Sequence, residues 1–239
     1  PKNIIFSGGG TKGLCHAGMI KKIEELINIK PLSSGNFLES LSGSSIGSLI
    51  ATLVCIGYTA DEILDESINV PADIFNQPNM LSIIENYGFD NGMLLHNWFI
   101  NLINRKVHTD KIQATIDYTF QDIFDKTNIK LNITATSVNR GETHYFNHEN
   151  SPNMPVSFAI RMSCSIPFIY EAVQYENEIY VDGGMLDDVP CDFVTDKDSC
   201  LILRMSEGEN PHHTSIRNLE DYSKQLIFIM FSKICKLNI

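Results

Sequence analysis

Apolar positions along the chain change period repeatedly, and each change marks an expected element. Ile4-Ile5-Phe6 is a short continuous apolar run and predicts a buried strand. From Leu14, the apolar residues Leu14, Ala17, Ile20, Ile23, Leu26 and Ile27 recur at helical spacing until Pro31 stops the helix. "NFLESLSG" (36–43) predicts a second strand, followed by an apolar helix "IGSLIATLVCIG" (46–57) that Gly57 ends. Thr59 and Glu62 have capping-box spacing for the next helix. Residues 71–90 show no clear period. Residues 91–105 and 109–124 predict amphipathic helices, 130–138 and 144–147 strands, and 155–164 a short helix with Pro in its first turn. Residues 168–184 predict a hairpin turning at Glu176-Asn177, 199–205 a buried strand, and 217–237 a terminal helix. Strands alternating with helices predict an α/β fold with a largely parallel sheet.

Composition narrows the function classes. The 239 residues, 43% hydrophobic and 20% charged, suit one globular domain over 1–239 with its own core. The net charge of -11 argues against nucleic acid, whose phosphates demand a surplus of Lys and Arg. It also argues against a purely electrostatic grip on anionic membrane. The six cysteines form no CxxC pair and no metal-ligand spacing, which predicts reduced core thiols in an intracellular protein. Asn132-Ile133-Thr134 is a formal glycosylation sequon inside an apolar strand run, so it reads as chance. No apolar stretch approaches 18 residues, so no membrane span is expected, and no leader pattern precedes the first strand. The chain begins with Pro instead of Met, which predicts flanking sequence.

Chemistry concentrates at the turns. Gly8, Gly10 and Gly13 satisfy GxGxxG between a strand and a helix, the dinucleotide-binding pattern. That reading needs an acidic residue at the end of the second strand, but Glu39 falls inside the strand candidate. GxxxxGK[ST] is absent. A tight turn with no ligand is a second reading. A third is an oxyanion hole, because bare N–H groups of Gly8, Gly9 and Gly10 at a helix start could meet developing negative charge.

The third reading needs a nucleophile. Gly43-Ser44-Ser45-Ile46-Gly47 is GxSxG with Ser45 at its centre, the spacing of a sharp turn that lifts a serine hydroxyl into the open. A serine-rich helix cap is the bland alternative. The base has two candidates. His212 or His213 could complete a triad in the order Ser, Asp, His, although both lie in a polar loop-like stretch. Asp182, ending an apolar strand at a Gly-Gly turn, could instead bond Ser45 directly, with burial raising its pKa toward a useful value.

"FSGGGTKG", "GSSIGSL" and "DGGMLDDVP", in this order, resemble the patatin-like phospholipase family, and "FAIRMSCSIPFIYEAV" is similar to the family's segment before the aspartate strand. The resemblance spans about residues 3–205. It implies a three-layer α/β/α sandwich with a central, mostly parallel sheet. It implies a Ser-Asp dyad of Ser45 and Asp182 without histidine, an oxyanion hole at Gly8, Gly9 and Gly10, and no metal or cofactor. The implied substrate is a phospholipid or other acyl lipid, with peripheral membrane contact and a cytoplasmic or membrane-associated location. Lys12 stands where many members have Arg, and Asp188 where many have Asn before the Pro. The alternatives from the residues themselves are a His-dependent α/β-hydrolase and a silent nucleotide- or lipid-binding module.

Overall fold

The computed structural model describes residues 1–75, 81–107, 116–192, 194 and 197–205, with residues 216, 217, 222, 225, 226 and 229 beyond them. The elements in chain order are β1 (Asn3–Phe6), α1 (Leu14–Ile27), β2 (Ser40–Ser44), α2 (Ile46–Cys55), α3 (Ala60–Ile68), α4 (Ser82–Glu85), β3 (Gly88–Asp90) and α5 (Met93–Val107). There follow α6 (Phe120–Thr127), β4 (Lys130–Ser137), β5 (Glu142–Phe146), α7 (Val156–Ser163), β6 (Phe168–Tyr170), β7 (Val173–Tyr175), β8 (Glu178–Asp182) and β9 (Cys200–Leu203). The expected terminal helix over 217–237 lies outside the described residues apart from isolated positions.

Seven strands form the central sheet. β9, β1, β2 and β4 run parallel, while β5 and β8 are antiparallel to β4. The expected α/β architecture is therefore present, with a parallel centre of β9, β1, β2 and β4 and antiparallel pairings beyond it among β4, β5, β7 and β8. β2 pairs with β4 from Ser40↔Lys130 to Ser44↔Thr134. β8 takes up β4 at the next residue, from Asp182↔Ala135 to Tyr180↔Ser137. β5 occupies positions 133–137 of β4 as well, so it holds the opposite edge. β2 and β8 thus share one edge of β4 and meet end to end, which brings residue 45 to residue 182.

Alternation along the strands divides the sheet into two unlike faces. Ile4, Phe6, Leu41, Leu131, Ile133 and Ala135 join the apolar core, against which α2 and α7 pack. The opposite positions Ser40, Ser42 and Asn132 on β2 and β4 are polar yet buried. Ser40 donates to Asn3, Asn132 to Ser42, and Asn147 to Asn132. Such pairing is what makes a polar face tolerable in a dry interior. Asn132 is 0% exposed, so its sequon is closed to glycosylation in the folded chain.

Several boundaries differ from expectation. The second strand begins at Ser40, and Glu39 instead meets Lys2 at the surface, at 2.6 Å. Asp117–Thr119 are not helical; Thr119 and Asp122 form a capping box that starts α6 at Phe120, so one helix over 109–124 is not formed. The hairpin turning at Glu176-Asn177 involves only β7 and β8, and both turn residues have positive φ. Phe168–Tyr170 leaves it to pair in parallel with β3. That pairing gives the aperiodic 71–90 region a strand, the only one among its described residues. The Thr59–Glu62 box forms in both directions.

Candidate functional site

Ser45 sits between the last residue of β2 and the first of α2, with φ 51° and ψ -129°. A non-glycine residue at positive φ is strained and has to be held by its surroundings. The flanking glycines permit the turn. A Cβ on Gly47 would strike the carbonyl oxygens of Phe6 and Ser7, so β1 and α2 can touch only if residue 47 is glycine. The hydroxyl of Ser45 does not cap the helix. It donates to Asp182 Oδ2 at 2.6 Å. The carbonyl of Ser45 accepts from the N–H and the hydroxyl of Ser48, at 2.9 and 2.6 Å.

Asp182 closes β8, and its other oxygen accepts the N–H of Gly184 at 2.8 Å. The carboxyl is 1% exposed. Burial pushes its pKa up to about 7, against the pull of the Ser45 hydroxyl and the Gly184 N–H, and the charge of Asp188 adds to the rise. A carboxylate poised near neutrality, bonded to a serine hydroxyl, has the properties of a general base.

The glycine turn lies alongside. A Cβ on Gly8 would come within 3.2 Å of Ser45 Cβ and 2.6 Å of Asp188 Oδ1, so only a glycine lets the loop approach the serine this closely. The N–H of Gly8 donates to the Asp188 carbonyl at 3.3 Å. The N–H groups of Gly9 and Gly10 donate to no partner among the described residues. His16 braces the turn. Its Nε2 meets the carbonyl of Ser7 at 2.9 Å, and burial keeps the ring neutral by lowering its pKa. Because a carbonyl can only accept, Nε2 carries the proton.

The structure therefore brings Ser45, Asp182 and the Gly8–Gly10 turn together. No described histidine bonds to Ser45 or Asp182. His96 meets Ser157, His144 meets Tyr180, and His148 stacks on Phe124. His212 and His213 lie outside the described residues. Sequence reasoning treated Cys164 only as a core thiol. It is buried, and burial, helped by the charge of Asp182, raises the pKa of its thiol. Ser163, which accepts the N–H of Ser45 at 2.8 Å, carried no sequence signal. Among the described residues no cluster of three His, Cys, Asp or Glu side chains is arranged to hold a metal ion. Asp187, beside the pair in sequence, instead accepts from Tyr145 at 2.9 Å.

Comparison with known proteins adds to this geometry. A family model described as patatin-like phospholipase matches residues 4–195. An uncharacterized protein of Acanthamoeba polyphaga mimivirus is 32% identical over 92% of this chain and 73% of its own length. A protein of invertebrate iridescent virus 6, named as a probable lipid hydrolase, is 26% identical over 80% of this chain and 62% of its own. The crystal structure of VipD from Legionella pneumophila has a TM-score of 0.63 at 17% identity, covering 94% of this chain and 52% of that one, a likeness of fold alone. The chain thus spans about half to three quarters of the length of these proteins.

Proposed function

The chain belongs to the patatin-like phospholipase family, and from that premise we propose that residues 1–239 act as one catalytic domain hydrolysing fatty-acyl esters of lipids, in the manner of a phospholipase A or lysophospholipase. One observation carries the reading: Ser45 donates directly to a buried carboxyl, Asp182, whose pKa is pushed up to about 7. Asp182 takes the proton of Ser45 as Oγ attacks the ester carbonyl carbon. The negative charge that develops on the carbonyl oxygen is met by the N–H groups of Gly9 and Gly10, while Gly8 contributes the close approach. Asp182 returns the proton to the departing alcohol or lysolipid and leaves Ser45 acylated. It then takes a proton from water as the water oxygen attacks the acyl carbon, and gives that proton to Ser45 Oγ as the C–Oγ bond breaks and the fatty acid leaves. The first turn of α2 directs its positive end toward Ser45 and favours the alkoxide.

The lipid would be met at a surface. Leu81, Ile84, Tyr87 and Phe168 are all more than half exposed. They belong to α4, β3 and β6 or the residues beside them, and β6 follows directly on the segment that contacts the Asp182 backbone. We assign peripheral membrane contact to this patch. Among the described residues no helix is long and apolar enough to cross a membrane.

The test is turnover of a chromogenic acyl ester. Ser45→Ala and Asp182→Asn should each lower kcat by at least about a thousandfold with the fold retained, and the double variant should be no worse than either, because dyad members act as a unit. Wild-type protein should be labelled at Ser45 by a fluorophosphonate. Substantial turnover by folded Ser45→Ala would sink the mechanism.

A further inference from the structure

Ser163 and Ser165 stand two residues apart at the end of α7, and each holds the backbone of one member of the Ser45–Asp182 pair. The N–H of Ser45 donates to Ser163 Oγ at 2.8 Å. The N–H of Asp182 donates to the carbonyl of Ser165 at 2.9 Å. Both serines are fully buried. The segment between them is anchored in turn. Arg161 donates to Ser165 Oγ and to the carbonyls of Asn91 and Glu171, at 2.9 and 3.2 Å for the carbonyls. Its guanidinium also lies 5.4 Å from the centre of the Tyr170 ring. One five-residue stretch therefore touches both halves of the pair.

The bond to Ser163 answers a specific need. The ladder between β2 and β4 ends at Ser44↔Thr134, so the N–H of Ser45 has no strand partner. α2 begins only at Ile46, so Ser45 has no helical partner either. A buried N–H left unpaired is costly, and Ser45 already carries the strain of positive φ. A serine hydroxyl at position 163 satisfies that donor and holds the turn in its strained state. It also removes the Ser45 N–H from the donors open to a substrate oxygen. From that turn the Oγ of Ser45 reaches Asp182, whose own backbone is held by Ser165, two residues further along the same segment.

We propose that Ser163 is a positioning residue for the nucleophile: its hydroxyl holds the Ser45 backbone in the strained turn and so aligns Ser45 Oγ with Asp182. The role rests on the dyad reading given above and adds a residue that touches neither the substrate nor the reacting atoms.

Ser163→Ala and Ser163→Thr separate alignment from packing when compared with wild type and Ser45→Ala. Each is assayed for kcat and KM on a soluble short-chain chromogenic ester, for thermal melting, and for amide hydrogen exchange at Ser45 by NMR. Ser163→Ala should stay folded but melt several degrees below wild type, because it leaves the Ser45 N–H unpaired, and should lose about tenfold to a hundredfold in kcat, the scale of a misplaced reacting group. Its KM should stay within about twofold, and the Ser45 amide should exchange faster. Ser163→Thr keeps the acceptor and should recover kcat to within about threefold of wild type. The proposal is overturned if Ser163→Ala keeps its kcat, if folded Ser163→Thr is as inactive as the alanine variant, or if neither variant folds. Failure of the dyad reading looks different. Wild type would then show no turnover, or Ser45→Ala would match it, while exchange at the Ser45 amide would still report whether Ser163 holds the turn.

Discussion

Asp182 reports its environment through its proton. In the unfolded chain its carboxyl would ionise near pH 4, but in the folded protein burial delays ionisation to about pH 7. In the proposed mechanism Asp182 acts as base only when ionised, so kcat/KM should rise with pH along a limb centred near 7. Asp188 contributes a smaller part of the rise, so Asp188→Asn should move that limb to lower pH, measured on the same soluble ester. Stability runs the other way. Below pH 4 both states hold the proton and the buried carboxyl costs nothing. Between pH 4 and 7 the unfolded chain loses its proton first, so stability falls, and above 7 the full cost is present, on the order of 4 kcal/mol. An Asn at 182 can still accept from Gly184 and can donate to Ser45 Oγ. Asp182→Asn should therefore be inactive yet melt higher than wild type at pH 8, with the gain gone below pH 4. Equal melting of the two proteins at pH 8 would show that the carboxyl is not buried as a charge.

Elements outside the main sheet carry exposed apolar side chains. β3 and β6 form a separate two-stranded sheet with Gly88 opposite Phe168 and Asp90 opposite Tyr170. A Cβ on Gly88 would strike the backbone of Tyr170, so this small sheet closes tightly. Leu81 and Ile84 are three residues apart and 70% and 77% exposed, which puts both on one outward side of α4. Tyr87 continues the patch to β3 at 56% exposure, and Phe168 adds 51% from β6. Contiguous exposed apolar groups of this kind mark contact surfaces. Replacing Ile84 and Phe168 together with Ser should weaken flotation with phosphatidylcholine vesicles several-fold and leave short-chain ester hydrolysis within about twofold, since neither side chain bonds to the dyad. Loss of both activities together would place these side chains in the support of the site instead.

At the scale of the whole molecule, charge bears on the proposed membrane contact. A net charge of -11 is repelled by anionic head groups at long range, so the proposed docking would depend on apolar area. Added salt screens that repulsion. Binding to phosphatidylserine vesicles should therefore strengthen as salt rises from low to physiological levels, while binding to phosphatidylcholine vesicles should change little. Weakening of both by salt would point to a local basic contact instead. The sheet has its own division of labour: the apolar face of β1, β2 and β4 meets α2 and α7, while the Asn–Ser network fills the other face.

Local sequence determined the turns and the period of most elements. Glycines at 43, 47 and 183 mark places where backbone approaches backbone, and Gly8 a place where the loop approaches the side chains of Ser45 and Asp188; such steric demands are written into neighbouring residues. The capping box at Thr59 was legible for the same reason, since both partners lie within one turn of helix. The box at Thr119 has the same spacing, but an amphipathic pattern running through 109–124 concealed it. Tertiary structure alone decided that β2 and β8 meet end to end on β4, because register between distant strands depends on packing across the whole sheet. It alone sent Phe168–Tyr170 away from its expected hairpin to β3, where a second small sheet could form. The Ser45 and Asp182 turns were visible singly, 137 residues apart. The raised pKa of the carboxyl and the hold of Ser163 on the serine arise only once folding removes water from between them.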